Sequence, residues 1–381
     1  MHDVWRALSF AGGMTWEILW ALILGFAASA VVQAVVSKRE LQKLLGDDSA
    51  KTVALATGLG AASSSCSYAA VALARALFRK GASFTAAMAF EIASTNLVIE
   101  LGIVMGLLLG WQFVVGEFVG GPLIIVFVAL LFRMFLKQRL VDEARAEAEK
   151  QHRGSMEGHA GMDMAAEGEG SWLRRLLSPA GFTSTADYFV MDWAAVIRDV
   201  AGGLLIAGAL AAWVPDSFWR SLFLEHHGTL GKIWGPVIGP AVAMLSFVCS
   251  IGNVPLAAVL WNGGISFGGV ISFVFADLLI LPILDIYRRY YGWRMAGFIF
   301  ITFYASMVAA GIVVEFLFAG VGIERHARNA KVEMAHLSWN YTTYLNIVFL
   351  VVGATLVWRY FRRGGGWRML KMMDAPMGVT R

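Results

Sequence analysis

The chain has 381 residues, of which 58% are hydrophobic and 15% charged, with a formal net charge of +4. Soluble domains carry about 25% charged residues, so this composition excludes a water-soluble surface for a chain of this size. The basic residues form short clusters between apolar stretches, which is typical of membrane topology signals and not of a nucleic-acid-binding face. Composition therefore predicts an all-α integral membrane protein in a lipid bilayer, with no nucleic-acid partner.

Nine apolar stretches follow one another along the chain, each long enough for a membrane helix or a helical hairpin. The first has no preceding cluster of basic residues and is too long for a signal sequence, so we expect a retained helix. The stretches cover positions 14–36, 52–78, 83–110, 112–136, 191–214, 233–260, 266–287, 293–319 and 341–361.

A polar stretch divides the chain. Positions 137–190 are rich in Glu, Lys, Arg, Gly, His and Met, which predicts a short helical extension followed by a flexible cytoplasmic linker. We therefore expect a first membrane repeat at 1–136 and a second at 191–320. An extra C-terminal transmembrane helix with a basic tail is expected at 321–381.

The two membrane halves are related by an internal repeat. Shifting the sequence by 183 positions pairs Cys66 with Cys249 and Ser67 with Ser250, and gives ten identities in 25 positions without a gap. Apolar composition raises the chance of such matches, but the paired Cys-Ser is harder to explain by composition alone. Internal repeats are common in transporters.

Lysine and arginine favour the cytoplasmic side of a membrane, so their distribution tests the topology. If all nine stretches span the membrane as parallel repeats, the 31 basic residues divide 15 to 16 between the two sides. If 52–78 and 233–260 are instead re-entrant hairpins, the basic residues divide 25 to 6. The second division favours two inverted repeats with about seven spanning helices and two hairpins, and nine spanning helices with parallel repeats stay the alternative.

Both predicted hairpins contain residues that break helices. Glycine, proline, serine and asparagine lie near the centre of each stretch, as Gly239, Pro240 and Pro255 do in the second. Broken backbone at membrane depth is tolerated only where protein or a water-filled cavity satisfies it. We therefore expect the two hairpin tips to meet near the membrane midplane, where inverted-repeat transporters bind substrate.

Cys66 and Cys249 are predicted at the hairpin tips, directly before the second helical arm. A helix N-terminus favours the thiolate form, which is a soft ligand for soft ions. The alternative is that each cysteine is a small buried hydrophobe, as free cysteines often are. The polar residues around them would line the same site or cap the broken backbone. These residues are Ser65, Ser67, Ser250 and Asn253.

Acidic residues inside apolar stretches are functional candidates, because burying a charge in a membrane is costly. Glu91 and Asp277 are expected to carry protons or to balance a cationic substrate, with a buried structural acid as the alternative. Asn96 and Glu100 lie four residues apart and would share one face of a helix over 83–110. We assign these two residues to the same coupling role.

The linker contains a cluster of histidine and methionine, which are typical ligands of soft metals such as copper. Its spacing fits no defined zinc site, so a flexible linker without metal is the alternative. The chain has no nucleotide-binding or nucleophile motif, so we expect neither an enzyme nor a bound cofactor. The candidate metal ligands are His152, Met156, His159, Met162 and Met164.

Short motifs recur in both halves, at 58–74 (GLGAASSSCSYAAVALA), 81–84 (GASF), 91–96 (EIASTN), 249–257 (CSIGNVPLA) and 263–267 (GGISF). They resemble the ArsP-like predicted permease family over roughly 15–135 and 190–320. That family resembles efflux permeases for trivalent organoarsenicals, so the resemblance implies secondary transport, with Cys66 and Cys249 as soft ligands, without establishing arsenic as the substrate. The histidine- and methionine-rich linker departs from a purely arsenical interpretation and keeps other soft metals open.

Three functions are compatible with these features. The first is a secondary-active permease of the inner (plasma) membrane that exports a soft thiol-reactive solute, such as a trivalent organoarsenical or a soft metal ion, with protons as the coupling ion. The second is a permease for an anionic or other small solute, bound by helix N-termini and hydroxyl groups. The third is a membrane metal-delivery or insertion partner without transport activity.

Overall fold

The computed structural model describes residues 2–35, 45–64, 67–79, 81–149, 178–224, 228–246, 250–323, 327–332 and 341–362. Within these ranges every regular element is helical, which confirms the predicted all-α class. The helices are α1 (His2–Val35), α2 (Ala50–Ser63), α3 (Ser67–Arg79), α4 (Phe84–Asn96), α5 (Ile99–Leu108), α6 (Trp111–Phe135), α7 (Gln138–Glu149), α8 (Pro179–Trp213), α9 (Asp216–Leu222), α10 (Thr229–Ser246), α11 (Ser250–Asn262), α12 (Phe267–Phe275), α13 (Leu281–Tyr291), α14 (Trp293–Val321) and α15 (Tyr341–Arg362). A 3₁₀ turn, Ala276–Leu279, directly follows α12.

Length and hydropathy identify up to six candidate membrane spans in the described ranges. Helices α6, α14 and most of α15 qualify as single helices. Three more candidates are helix pairs bent by 41–45°, namely the two parts of α1, α4 with α5, and α12 and its 3₁₀ turn with α13. Helix α8, which is 35 residues long, would be the seventh span of the predicted topology. The placement of these helices in a bilayer stays a prediction.

The stretch 83–110, expected as one helix, is broken near its centre. Helix α4 ends at Asn96 and α5 begins at Ile99, because Val98 between them is extended (φ −113°, ψ 146°). Asparagine and β-branched residues are poor helix formers, which favours a break at this point. The expectation that Asn96 and Glu100 share one helical face is therefore wrong, since they belong to different helices.

The helices around the polar stretch 137–190 extend into it from both sides. Helix α7 is the short helical extension that the sequence predicts, and α8 begins at Pro179, inside the stretch assigned to the linker. The Ser178 hydroxyl caps α8 by accepting a hydrogen bond from the Gly181 N–H at 3.0 Å. Proline is favourable in the first turn, because its missing N–H would have no helical partner there.

The residues that flank helices α2 and α3, the two arms of the first predicted hairpin, meet each other. Ser83, shortly after α3, donates its N–H to Leu45 O at 2.8 Å and its hydroxyl to Asp47 O at 2.9 Å, just before α2. Helices α10 and α11 are closed in the same way, since the Ser266 hydroxyl after α11 lies 3.5 Å from Lys232 O in the first turn of α10. At 14 and 13 residues, α2 and α3 are about 20 Å long, too short for an apolar layer of about 30 Å.

The base of the first hairpin also contains an exposed carboxylate. Asp47 accepts hydrogen bonds from Thr52 and Ser49, which lower the pKa of Asp47 below its ordinary value. These hydrogen bonds favour the ionised form, so their contribution is present at neutral pH and is lost on acidification through the lowered pKa. The carboxylate thereby stabilises the first turn of α2 at neutral pH.

Helix boundaries follow the repeat of 183 positions. Shifting α3 gives 250–262, the bounds of α11, and shifting α4 gives 267–279, the combined bounds of α12 and its 3₁₀ turn. The helix caps agree as well, because Ser83 and Ser266 each accept a hydrogen bond from the backbone N–H three residues later. The turns that precede these caps contain Gly81 and Gly264, with positive φ of 106° and 103°. The sequence repeat is therefore also a repeat of helix lengths, turns and caps.

Two arginines 183 positions apart donate hydrogen bonds to the C-terminal ends of α3 and α11. Arg145 of α7 donates to Phe78 O at 2.6 Å, and its guanidinium lies 4.1 Å above the Phe78 ring. Arg328 donates to Trp261 O at 3.0 Å and lies 3.9 Å above the Trp261 ring. A positive charge is favourable at the C-terminus of a helix, so both arginines stabilise the same end of equivalent helices.

Candidate functional site

The starts of α3 and α11 each reach into the other half of the chain. The Ser67 hydroxyl donates to Asp277 Oδ2 at 2.5 Å, and the Ser250 hydroxyl donates to Thr95 O at 3.2 Å. The two acceptors lie at nearly equivalent positions, since 277 − 183 = 94. The contacts are therefore reciprocal, as at a two-fold interface, because each helix start contacts the helix or turn that follows the predicted hairpin of the other half.

Asp277 lies in the 3₁₀ turn and is fully buried. Its second oxygen, Oδ1, has no hydrogen-bond partner among the described residues. Asn96, at the end of α4, is equally buried and lies within reach of Asp277, and its side chain makes no other hydrogen bond in the described ranges. Buried polar atoms without partners are rare in native structures, so this pair marks a place where a proton or a ligand would be bound.

Glu91 is fully buried in α4, and its Oε1 accepts a hydrogen bond from the hydroxyl of Tyr287 in α13. Glu91 Oε2 has no partner in the part of the chain that the structure describes. Sequence reasoning missed Tyr287, because a tyrosine near the end of an apolar stretch is typical of the membrane interface. Only the folded chain brings α13 back against α4.

Glu100, in α5, contacts the residue on the α2 side of the break between α2 and α3. The hydroxyl of Ser64, directly after α2, donates to Glu100 Oε1, and Ser64 has a positive φ of 25°. Residues other than glycine rarely adopt positive φ, and such strain is concentrated at functional sites. Ser64 and Ser67, on the two sides of the break, thus bind two different acids, Glu100 and Asp277.

Of the predicted site residues not yet mentioned, the structure describes one, Asn253, and leaves the others outside the described ranges. Asn253 is fully buried in α11, about one turn after Ser250. Cys66 and Cys249 directly precede Ser67 and Ser250 in sequence, but both cysteines lie outside the described residues. The other predicted residues outside them are Ser65, His152, Met156, His159, Met162 and Met164. Among the described residues, no three His, Cys, Asp or Glu side chains are grouped to hold a metal ion.

Two further buried acids were missed by sequence reasoning, Glu117 in α6 and Glu315 in α14. Glu315 Oε2 accepts from the Gly268 N–H at 2.5 Å, and its Oε1 lies 3.6 Å from Lys232 Nζ. Neither oxygen of Glu117 has a hydrogen-bond partner within the described ranges. The signal was present, since both acids lie inside predicted apolar stretches, where an acid is a functional candidate.

A crevice of about 730 Å³ lies apart from this cluster. It is bounded by parts of α2, α6 and α7, and its lining includes Thr57, Pro122 and Arg133. None of the predicted site residues lines it. We regard the buried polar cluster as the better candidate site, because it joins residues of both halves, as substrate sites of repeat-built transporters do.

The described part of the candidate site is acidic and rich in hydroxyl groups. Glu91, Glu100 and Asp277 are at most 2% exposed, so each must carry a proton, contact a cation or be stabilised by hydrogen-bond donors. The donors found are hydroxyl groups, those of Tyr287 for Glu91 and Ser64 for Glu100. Such an arrangement suits a proton, a cation or a neutral polar solute better than an anion.

The two comparisons with known proteins that find a match both indicate a permease. A family model described as "Predicted permease", that of the ArsP family, matches residues 4–316. A protein of Mycobacterium tuberculosis named "Putative permease Rv2963" is 64% identical over 346 residues, which cover 90% of this chain and 85% of that protein. No solved structure matches the chain.

Proposed function

The chain belongs to the ArsP-like predicted permease family and is a multi-pass membrane protein, and from this premise we propose that it is a secondary-active exporter of a soft, thiol-reactive solute. The solute class is that of trivalent organoarsenicals and soft metal ions, and the chain acts in the inner (plasma) membrane as a transporter, not an enzyme. The observation that carries the proposal is the reciprocal pair of contacts by which each helix start binds the other half, Ser67 to Asp277 and Ser250 to Thr95.

Binding of the solute is assigned to the residues around these helix starts. Cys66 and Cys249 supply the thiolates, which are soft ligands suited to soft ions. The positive ends of α3 and α11 follow directly in sequence and favour the thiolate form. The hydroxyl and amide groups that complete the site are those of Ser65, Ser67, Ser250 and Asn253.

Coupling to protons is assigned to the acids beside the helix starts. Glu91 and Asp277 each have one carboxylate oxygen without a partner in the described ranges, so each can take up a proton there. Asn96 and Glu100 lie at the same break between helices and complete the coupling group. Gain or loss of a buried charge favours one arrangement of the two halves over the other, and the halves alternate by rocking against each other.

Uptake into everted membrane vesicles tests the proposal. We expect trivalent methylarsenical or Cu(I) to accumulate when a proton gradient is applied and not without it. Replacing both cysteines (Cys66→Ser with Cys249→Ser) should abolish accumulation, while Ser221→Ala, at an exposed hydroxyl of α9, should leave it unchanged. Full accumulation by the double variant would contradict the thiol mechanism, and no accumulation of either solute by the wild type would contradict the solute class.

The two alternative functions make different predictions. An anion permease would tolerate serine in place of both cysteines but not loss of Ser67 or Asn253, and the buried acids around the site oppose an anionic solute. A metal-delivery partner would depend on the linker, so deletion of 150–168 would remove its activity. The proposed exporter should keep most of its transport after this deletion.

A further inference from the structure

Glu117 lies in the middle of α6, which packs against α5. Gly121 of α6 lies against Leu97 just before α5, where an added Cβ would be 2.3 Å from the Leu97 side chain. Gly102 of α5 lies against the phenyl ring that follows Glu117, where an added Cβ would be 3.1 Å from the ring. Glu100 lies between the two contacting residues at the start of α5, and Glu117 lies next to the ring and one helical turn before Gly121 on α6. Both acids are therefore at the contact between α5 and α6, close enough for their like charges to interact.

The two carboxyl groups are both buried, but their surroundings differ. Glu100 is 2% exposed and accepts a hydrogen bond from the Ser64 hydroxyl. Glu117 is 0% exposed, and both of its oxygens lack a hydrogen-bond partner in the part of the chain that is described. A carboxylate with no donor in an apolar interior is strongly disfavoured, whereas a carboxylate with a hydroxyl donor is tolerated better.

No charged partner for Glu117 is found among the described side chains of the helices packed against α5 and α6. Helices α11 and α12 contain no ionisable side chain. None of the ionisable residues on the other packed helices forms a hydrogen bond with Glu117 in the described ranges. The ionisable residues whose side chains are described there are Arg6 of α1, Lys51 of α2, Glu91 of α4, Arg133 of α6, and Arg294 and Glu315 of α14.

We propose that Glu117 and Glu100 form a second proton-binding site, in which the Glu117 carboxyl carries the proton and the Glu100 carboxylate is its ionised neighbour. The proton is taken from water and returned to water, and no other group is consumed. The site is separate in its contacts from Glu91, which accepts from Tyr287, and from Asp277, which accepts from Ser67. Carboxyl groups that share a site do not both ionise, because their like charges repel at close range.

The position of this pair links it to the first hairpin. Ser64, which donates to Glu100, is the residue directly after α2, so the charge on Glu100 stabilises the end of that helix at the break. Loss of the proton from Glu117 would place two negative charges beside this contact and disfavour it. The role of the proton in transport rests on the proposed function, whereas its binding to Glu117 does not.

Infrared difference spectroscopy of the purified full-length protein in lipid nanodiscs tests the proposal without any solute or ion gradient. At neutral pH, the spectrum of wild type minus Glu117→Gln should contain the band of one protonated carboxyl group. Wild type minus Glu100→Gln should contain carboxylate bands instead. The matched control is Glu315→Gln, because Glu315 is a buried acid with an N–H donor and a lysine, and it should also give carboxylate bands.

A carboxylate signal from Glu117→Gln, equal to that of the Glu315 control, would overturn the proposal. If Glu117→Gln does not yield folded protein, Glu117→Asp retains a carboxyl group on a shorter side chain. That variant should shift the frequency of the protonated carboxyl band, and an unshifted band would overturn the proposal as well. Because no transported solute is present, either result is independent of the vesicle experiment on export.

Discussion

In the first half of the chain, helices α4 to α6 bury three glutamates, whereas the positions 183 residues later in the second half are apolar. The pairs are Glu91 and Val274, Glu100 and Ile283, and Glu117 and Phe300. The second half contributes Asp277 at the position of Ser94 and Glu315 at the position of Phe132. Helix bounds, serine caps, glycine turns and arginine contacts are by contrast nearly the same in both halves. The repeat thus preserves the caps, turns and arginine contacts that position the helices, whereas the buried ionisable groups differ between the halves.

The largest expected effect concerns the side of the membrane on which equivalent positions lie. Ala146→Cys and Ala327→Cys place single labels on exposed residues beside Arg145 and Arg328, in a chain whose two native cysteines are serine. An impermeant maleimide added outside intact cells should label position 327 at once and position 146 only after permeabilisation. Labelling of both positions from the same side would contradict inverted repeats and favour the parallel arrangement.

Removal of the two equivalent arginines should have the next largest effect. Arg145→Ala and Arg328→Ala should each lower the free energy of unfolding by about 2–3 kcal/mol, because each leaves helix-terminal carbonyl groups without a charged donor. Arg139→Ala is the control, since its side chain is 85% exposed and its ion pair contributes less than about 1 kcal/mol. Reversible unfolding of purified protein in mixed detergents measures these losses. A loss confined to one of the two variants would show that the two contacts are not energetically equivalent.

The glycine turns should give the smallest effect of the three. Gly81→Ala and Gly264→Ala should each cost about 1–2 kcal/mol, because both backbones have positive φ, which side chains with a Cβ disfavour. Gly58→Ala in α2 is the control, since an added Cβ there meets no atom within 4 Å and alanine is the better helix former. The same unfolding measurement compares the three variants. Equal stability of Gly81→Ala and wild type would contradict the turn geometry.

The sequence predicts the parts of the fold that depend on composition and repetition. The all-α class follows from the apolar stretches, and the offset of 183 positions predicted from the Cys-Ser pairs also relates the helix bounds. The contacts of Ser83 and Ser266 join the segments that flank each predicted hairpin, while the re-entrant placement of the hairpins in a membrane stays a prediction. Glu91 and Asp277 are buried, as expected for acids inside apolar stretches.

Other features depend on contacts between distant segments and were not predictable from local patterns. The break at Val98 separates Asn96 from Glu100, although hydropathy continues through it. The bond from Tyr287 to Glu91 requires α13 to fold back on α4 across almost 200 residues of chain (|i−j| = 196). Glu117, by contrast, was predictable from the sequence. It is an acid inside an apolar stretch, so the rule that identified Glu91 applies equally to it.

The reciprocal contacts of the two helix starts with the opposite halves have a consequence for the ancestry of the chain. Two separate copies that touch through Ser67 and Ser250 in this way would form a symmetric dimer, in which every side chain must serve in both copies. Joining the two copies into one chain through a polar connector removes that restriction, because a substitution then changes one half and not the other. An ancestor with a single half-length gene, inserted in both orientations, would account for the shared helix bounds and caps and for buried acids at different positions in the two halves.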